Sequence, residues 1–274
     1  MSKIFTKDTL RGVGIPVLLT AFYLLFAIVF SAFMNNSLVV TLLDDITVAV
    51  LGAVLTWQLR RLVQNRKQIS CYLNHGTSSD VNTVPDVKFT HYLIMIGFLV
   101  LIWFVCQIMS LMIYNTFGDS NLDKYNTAAN SNVYLYGVLS VIIAPITEEI
   151  LMRGVWFGYI KTYCNTVLAY ILSAVVFAVL HGTLVHLPTS ILFGLFLCFV
   201  YDYTDMIIVA IIMHFGFNLF SVLLSGIVIP DFMISVSFAG ITYTVMLIVV
   251  IIGIIMLYMR RMPELVSDSL FKQQ

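Results

Sequence analysis

The chain has 274 residues, 60% of them hydrophobic and only 10% charged. A soluble globule cannot hide that much apolar surface behind a polar shell, so the composition excludes an ordinary soluble domain and requires a bilayer. Fourteen basic and fourteen acidic residues cancel, and bulk charge therefore carries no footprint for nucleic acid or another polyanion.

A transmembrane helix needs about 20 apolar residues. Eight runs of that order follow one another: 13–33, 38–59, 91–116, 133–160, 166–185, 188–203, 206–226 and 232–259. The sixth is the weakest, being short and pressed against its neighbours. The expected fold is all-α, a polytopic transmembrane bundle of about eight spans in a single membrane domain over 1–274. Polar pieces such as "GDSNLDKYNTAANSN" read as loops, and no internal repeat stands out. The first run follows a basic stretch, but it is too long for a signal peptide and lacks a small-x-small cleavage site. It reads as a retained anchor.

With the N-terminus inside, eight spans return the C-terminus to the cytoplasm. Lys3, Lys7, Arg11, Arg60, Arg61, Arg66, Lys67, Lys88, Lys161, Arg260, Arg261 and Lys272 then lie inside, Lys124 lies outside, and Arg153 lies in the membrane. That asymmetry fits the positive-inside rule. The expected location is a cell membrane, crossed several times, of the bacterial plasma-membrane kind. Cys71, Cys106, Cys164 and Cys198 are far apart without metal-like spacing, so neither a disulfide framework nor a zinc ribbon is expected.

Ionisable residues inside the runs come next. Asp44 and Asp45 sit near the outer end of the second run and close to its helix N-terminus, where the dipole favours acids; they read as interface residues. The fourth run contains "IIAPITEEILMRGVW", with Glu148, Glu149 and Arg153. A charge at the bilayer centre costs about 2.5–3.5 kcal/mol even on lenient scales, so such residues face the bundle interior. Glu149 and Arg153 are four apart and can pair on one face. Glu148 is rotated by about 100° and is left to point elsewhere, free to exchange protons. Pro145 upstream removes a backbone hydrogen bond and can open the helix to water. The fifth run holds His181, the seventh holds His214 and Asn218 on one stripe. His186, beside Pro188, reads as an interface residue, and His75 and His91 as residues of a cytoplasmic loop and its boundary.

Singly, each group has a structural reading as a helix-to-helix hydrogen bond or ion pair. Jointly, two glutamates, two histidines and an asparagine on three spans form a costly set for packing alone. Peptide hydrolysis needs an activated water, donors for an oxyanion and a proton for the leaving amine, and this set can supply them. Glu148, His181 and His214 could also hold a catalytic zinc with an open position. There is no His-Glu-x-x-His, however, and Asn218 is a poor zinc ligand. The expectation is that no cofactor is required, with zinc as the alternative.

"EEILMR" fits Glu-Glu-x-x-x-Arg, "FAVLH" fits Phe-x-x-x-His, and "HFGFN" fits His-x-x-x-Asn. In that order, on successive core helices over 133–226, they resemble the CPBP family (CAAX proteases and bacteriocin-processing enzymes, or Abi proteins), which includes the type II CAAX prenyl endopeptidases. The resemblance implies an intramembrane endopeptidase of eight spans, described in the family both as a metalloprotease and as a glutamate protease. It implies that Glu148 is the general base, assisted by His181, that His214 and Asn218 form the oxyanion site, and that Glu149 and Arg153 position the first carboxylate. The expected partners are a membrane-embedded or membrane-associated peptide, such as a pheromone or bacteriocin precursor, and the bilayer, with no nucleic acid. A non-proteolytic membrane partner, in bacteriocin immunity or sensor regulation, is the competing reading. A proton-coupled transporter predicts paired inverted halves, and none is seen.

Overall fold

The computed structural model describes residues 7–33, 37–73, 87–224 and 228–271. Among the described residues there is no strand. The helices are α1 (Lys7–Phe33), α2 (Ser37–Leu73), α3 (Phe89–Phe117), α4 (Ser120–Ser131), α5 (Val133–Tyr163), α6 (Thr166–Leu180), α7 (His186–Thr204), α8 (Ile207–Leu223) and α9 (Val236–Phe271). Each apolar run of the sequence recurs as one of them. The loop expected before the fourth run instead contains α4. It forms because Asp119 caps it, Oδ1 accepting from Asn121 N at 3.1 Å and Leu122 N at 3.2 Å. Lys3, Lys272, His75 and the loop residues 74–86 lie outside the described residues.

Among the described residues, five helices are long and apolar enough to cross a membrane: stretches of α2, α3, α5, α7 and α9. The stretch Leu10–Phe26 of α1 and the whole of α6 and α8 are shorter apolar helices. Span lengths thus differ from expectation. The sixth run becomes a 19-residue helix, whereas α6 has 15 residues and α8 has 17. The cause is local. Gly182 at φ 66° ends α6 one residue after His181, a conformation glycine adopts without penalty.

Apolar chains gain little by leaving lipid for a partner helix, so close packing and interhelical hydrogen bonds must hold the bundle. Small residues permit both. A Cβ on Gly154 of α5 would lie 2.3 Å from Thr56 Oγ1 of α2, one on Gly52 2.8 Å from Ile150 Cγ2, and one on Gly194 of α7 3.2 Å from Ala174 Cα of α6. Trp156 Nε1 donates to Thr20 Oγ1 at 2.9 Å, which ties α5 to α1. Trp103 Nε1 donates to Ser221 Oγ at 3.0 Å, which ties α3 to α8. Helix α5 is therefore central, and α9 stands outermost, held by Tyr243 OH on Pro188 O at 2.7 Å.

Charged groups outside this core gather at one end of the bundle. Arg60 donates to Asp205 O at 3.0 Å and to Tyr201 OH at 3.2 Å, while Lys161 pairs with Asp202.

Helix α5 is not uniform. Two π-helical stretches, Leu139–Ile143 and Ile150–Phe157, flank the α-helical turn Ala144–Glu149. Pro145 stands at the start of that turn, where its missing N–H disturbs the preceding ladder. The motif residues sit on this turn and the π stretch after it.

Candidate active site

Arg153 and Glu149 are both fully buried, and Arg153 Nη1 donates to Glu149 Oε1 at 2.8 Å. Its other terminal nitrogen donates to Gly194 O of α7 at 3.1 Å, and its guanidinium lies 4.9 Å over the Phe177 ring of α6. One arginine thus joins three helices. The pairing expected from the four-residue spacing is present.

His214 of α8 closes the group. Its Nδ1 lies 2.7 Å from Glu149 Oε1, the same oxygen that Arg153 uses, and its Nε2 lies 3.7 Å from Glu148 Oε2. Phe193 and Phe177 pack edge-on against the ring, with centroids at 5.1 and 5.8 Å. A carboxylate oxygen can only accept, so the proton of the Glu149 hydrogen bond sits on Nδ1. Nε2 then faces Glu148 either as a lone pair or, in the imidazolium, as a second donor.

Glu148 is the odd member. Its side chain keeps 34% of its surface exposed, yet Oε2 is buried without a hydrogen-bond partner. As the hundred-degree rotation requires, it turns away from the Glu149–Arg153 pair. A reactive carboxylate needs this combination: reach toward a bound molecule and an oxygen not already engaged.

Asn218 and His181 lie at the margins. Asn218 Nδ2 donates to Ser140 O, in the first π stretch of α5, at 2.8 Å. His181, just past α6, has Nδ1 2.7 Å from Phe177 O. A carbonyl only accepts, so that nitrogen carries the proton and Nε2 is left as an acceptor. The His181 ring packs on Phe177 at 4.6 Å and on His186 at 6.0 Å. Phe177 therefore separates the two motif histidines, and His181 meets the group through this ring.

Asp44 and Asp45, at the start of the apolar stretch Leu42–Gln64 of α2, are 3% and 7% exposed and so are buried against neighbouring helices. Helix α2 begins at Ser37, so they lie two turns inside it, against the Ala144–Glu149 turn of α5, where Thr147 Oγ1 donates to Asp45 O at 3.4 Å. His186, at the first position of α7, packs beside His181, with Nδ1 2.7 Å from Thr183 Oγ1. As for the zinc alternative, among the described residues no three His, Cys, Asp or Glu side chains converge to hold a metal ion. Glu148, His181 and His214 are thus not assembled as a ligand set, and no step is derived through a metal. Outside the spans, Asp119 is held below the usual carboxylate range, first by the Val185 N–H, at 3.0 Å from Oδ2, and then by the Leu122 and Asn121 amides.

Fold and site define a multi-pass helical membrane protein with a buried Glu–Arg–His group beside one reachable carboxylate. Residues 130–220 match the family model described as Type II CAAX prenyl endopeptidase Rce1-like. All three motifs fall inside that range, and the family that the model describes is of the CAAX-protease type that the motifs resemble. Over 87 residues the chain is 34% identical to a protein of Bacillus subtilis (strain 168) named "Putative membrane peptidase YdiL". That match covers 32% of this chain and 36% of the relative, so the chain spans about a third of the length of the curated protein it matches. No solved structure matches.

Proposed function

We propose that the protein is an intramembrane endopeptidase that hydrolyses a peptide bond of a membrane-associated peptide with a water activated by Glu148. The observation that carries this reading is the unengaged Oε2 of Glu148, 3.7 Å from His214 Nε2. Glu148 takes a proton from water as the oxygen attacks the scissile carbonyl carbon. The oxyanion so formed accepts from the Nε2–H of His214, whose ring Glu149 orients through Nδ1. The C–N bond then breaks, and Glu148 returns its proton to the leaving amine. In this state Glu148 and Glu149 carry two negative charges before the reaction, and Arg153 and the His214 imidazolium balance them. His181 supports the site through the Phe177 ring, which packs on His181 at 4.6 Å and on His214 at 5.8 Å. Asn218 has a second amide hydrogen to offer the oxyanion while its first holds Ser140 O.

The test is cleavage of an apolar, internally quenched peptide library by protein purified into nanodiscs. General acid–base groups contribute about 10²–10⁴-fold, so Glu148→Gln should lower kcat/KM by at least about a hundredfold while circular dichroism and thermal stability hold. A chelator arm reports metal dependence separately. Unchanged turnover by Glu148→Gln overturns the proposal.

A further inference from the structure

Asp44 and Asp45 are the buried acids that this mechanism does not use. Asp44 Oδ1 has no hydrogen-bond partner, at 3% exposure for the residue. No described Lys, Arg or His pairs with either acid, and the fully buried Arg153 is already bound to Glu149 and Gly194 O. Asp45 adjoins α5 one residue before Glu148, through Thr147. Around this point α2 supplies two carboxyls, α5 Glu148 and α8 the His214 ring, whose Nε2 lies 3.7 Å from Glu148 Oε2. An ionised carboxyl with an orphaned oxygen, buried in a helical bundle, is costly unless it takes up a proton or a positive partner arrives.

We propose that Asp44 and Asp45 form a subsite for an organic cation of the substrate, a lysine or arginine side chain or a free amino terminus, which docks beside Glu148. An ammonium or guanidinium suits this site better than a metal ion. Its N–H donors reach carboxylates one at a time, whereas no three His, Cys, Asp or Glu side chains among the described residues are placed to hold a metal. Entry is from the Glu148 side, where the carboxyl is one-third exposed. A cationic residue is expensive in lipid, so a site that neutralises it distinguishes one apolar peptide from another and sets where the chain stops against the catalytic carboxyl. The subsite rests on the endopeptidase reading for its meaning, and its occupancy can be measured without cleavage.

Two measurements test it. In the first, Glu148→Gln protein in nanodiscs is heated with n-butylammonium, n-butanol or Mg²⁺ at matched ionic strength. The ammonium alone should raise Tm, and the shift should vanish on adding Asp44→Asn or Asp45→Asn, and return with Asp45→Glu. In the second, one apolar quenched peptide is scanned with a single lysine or norleucine. At one position the lysine peptide should be cut about tenfold faster by kcat/KM, a ratio within reach of one charge-assisted hydrogen bond. That ratio should fall below about twofold in Asp44→Asn. If no peptide is cleaved, the endopeptidase reading fails and the Tm series still decides the subsite. An ammonium shift that persists in the Asp44→Asn/Asp45→Asn double variant overturns the subsite, as does a Mg²⁺ shift in place of the ammonium one, or no shift by any of the three. Equal cutting of every lysine and norleucine peptide overturns it too.

Discussion

Arg153 is the residue whose removal is easiest to weigh. Arg153→Met keeps the length and apolar stem but deletes three contacts: Glu149 Oε1 at 2.8 Å, Gly194 O at 3.1 Å and the Phe177 face at 4.9 Å. Both members of the ion pair are fully buried, so neither solvent nor salt screens the loss. Removing one partner of a buried pair costs about 3–5 kcal/mol, chiefly because the other charge is stranded. The desolvated cation–π contact, about 2 kcal/mol, falls within that sum. Glu149→Gln strands Arg153 instead and weakens the hold on His214, so its effect should be of similar size. Additivity would then put the double variant at roughly 6–10 kcal/mol, the sum of the two single losses. The physical expectation is different. With both charges gone no ion is left unpaired, and replacing such a pair by packed neutral groups is often close to neutral. The double variant should lose no more than about 3 kcal/mol, a coupling of at least about 3 kcal/mol. Denaturant titration of the four proteins in one detergent, followed by tryptophan fluorescence, measures the cycle. Single losses under about 1 kcal/mol, or additivity within about 0.5 kcal/mol, would refute the reasoning.

Two further outcomes follow from contacts elsewhere. Gly154→Ala places a methyl 2.3 Å from Thr56 Oγ1 and 3.2 Å from its Cγ2, so it should destabilise by about 1–3 kcal/mol, as overpacking does. Adding Thr56→Ala should recover most of that, and a second-site change that recovers nothing would contradict the close approach of α2 to α5. Asp119, held low by backbone amides, contributes stability in full above the ordinary carboxylate range and loses it as pH falls through its depressed value. The protection of the Val185 amide, its exchange relative to the intrinsic rate at each pH, should therefore fall at acid pH, and at neutral pH in Asp119→Asn; protection that is the same in both proteins would remove Asp119 as its anchor.

What could be read from the sequence follows from range. Hydrophobic runs report on single helices, and all eight became helices. The Glu149–Arg153 pair spans four positions and the divergence of Glu148 from Glu149 one, so both are visible within six residues. The hydrogen bond from His214 Nδ1 to Glu149 spans 65 positions, and no local pattern encodes it. The burial of Asp44 and Asp45 is not legible in the sequence, because it depends on a tertiary neighbour, the α5 turn that Thr147 ties to Asp45. The cap that builds α4 was in the sequence as Asp119 before Ser120, Asn121 and Leu122, but the polar composition of the segment outweighed it.

The π stretches of α5 have no sequence signature that was used, yet they account for how the site is held. A π turn breaks the regular i→i−4 ladder and frees carbonyls, which inside a membrane must find donors on neighbouring helices. Ser140 O, in the first stretch, takes the Asn218 carboxamide of α8 at 2.8 Å. Met152 O, in the second, takes Ser173 Oγ of α6 at 3.0 Å. The two irregularities lie on either side of the turn carrying Glu148 and Glu149, and each anchors a helix that brings a motif histidine. A uniform α-helix would keep those carbonyls for itself. It would leave α6 and α8 to be positioned by apolar contact alone, which is weakly directional in lipid. The motif asparagine therefore has a structural duty of its own: by bonding Ser140 it sets the height of α8 against α5, and with it the 3.7 Å gap between His214 and Glu148.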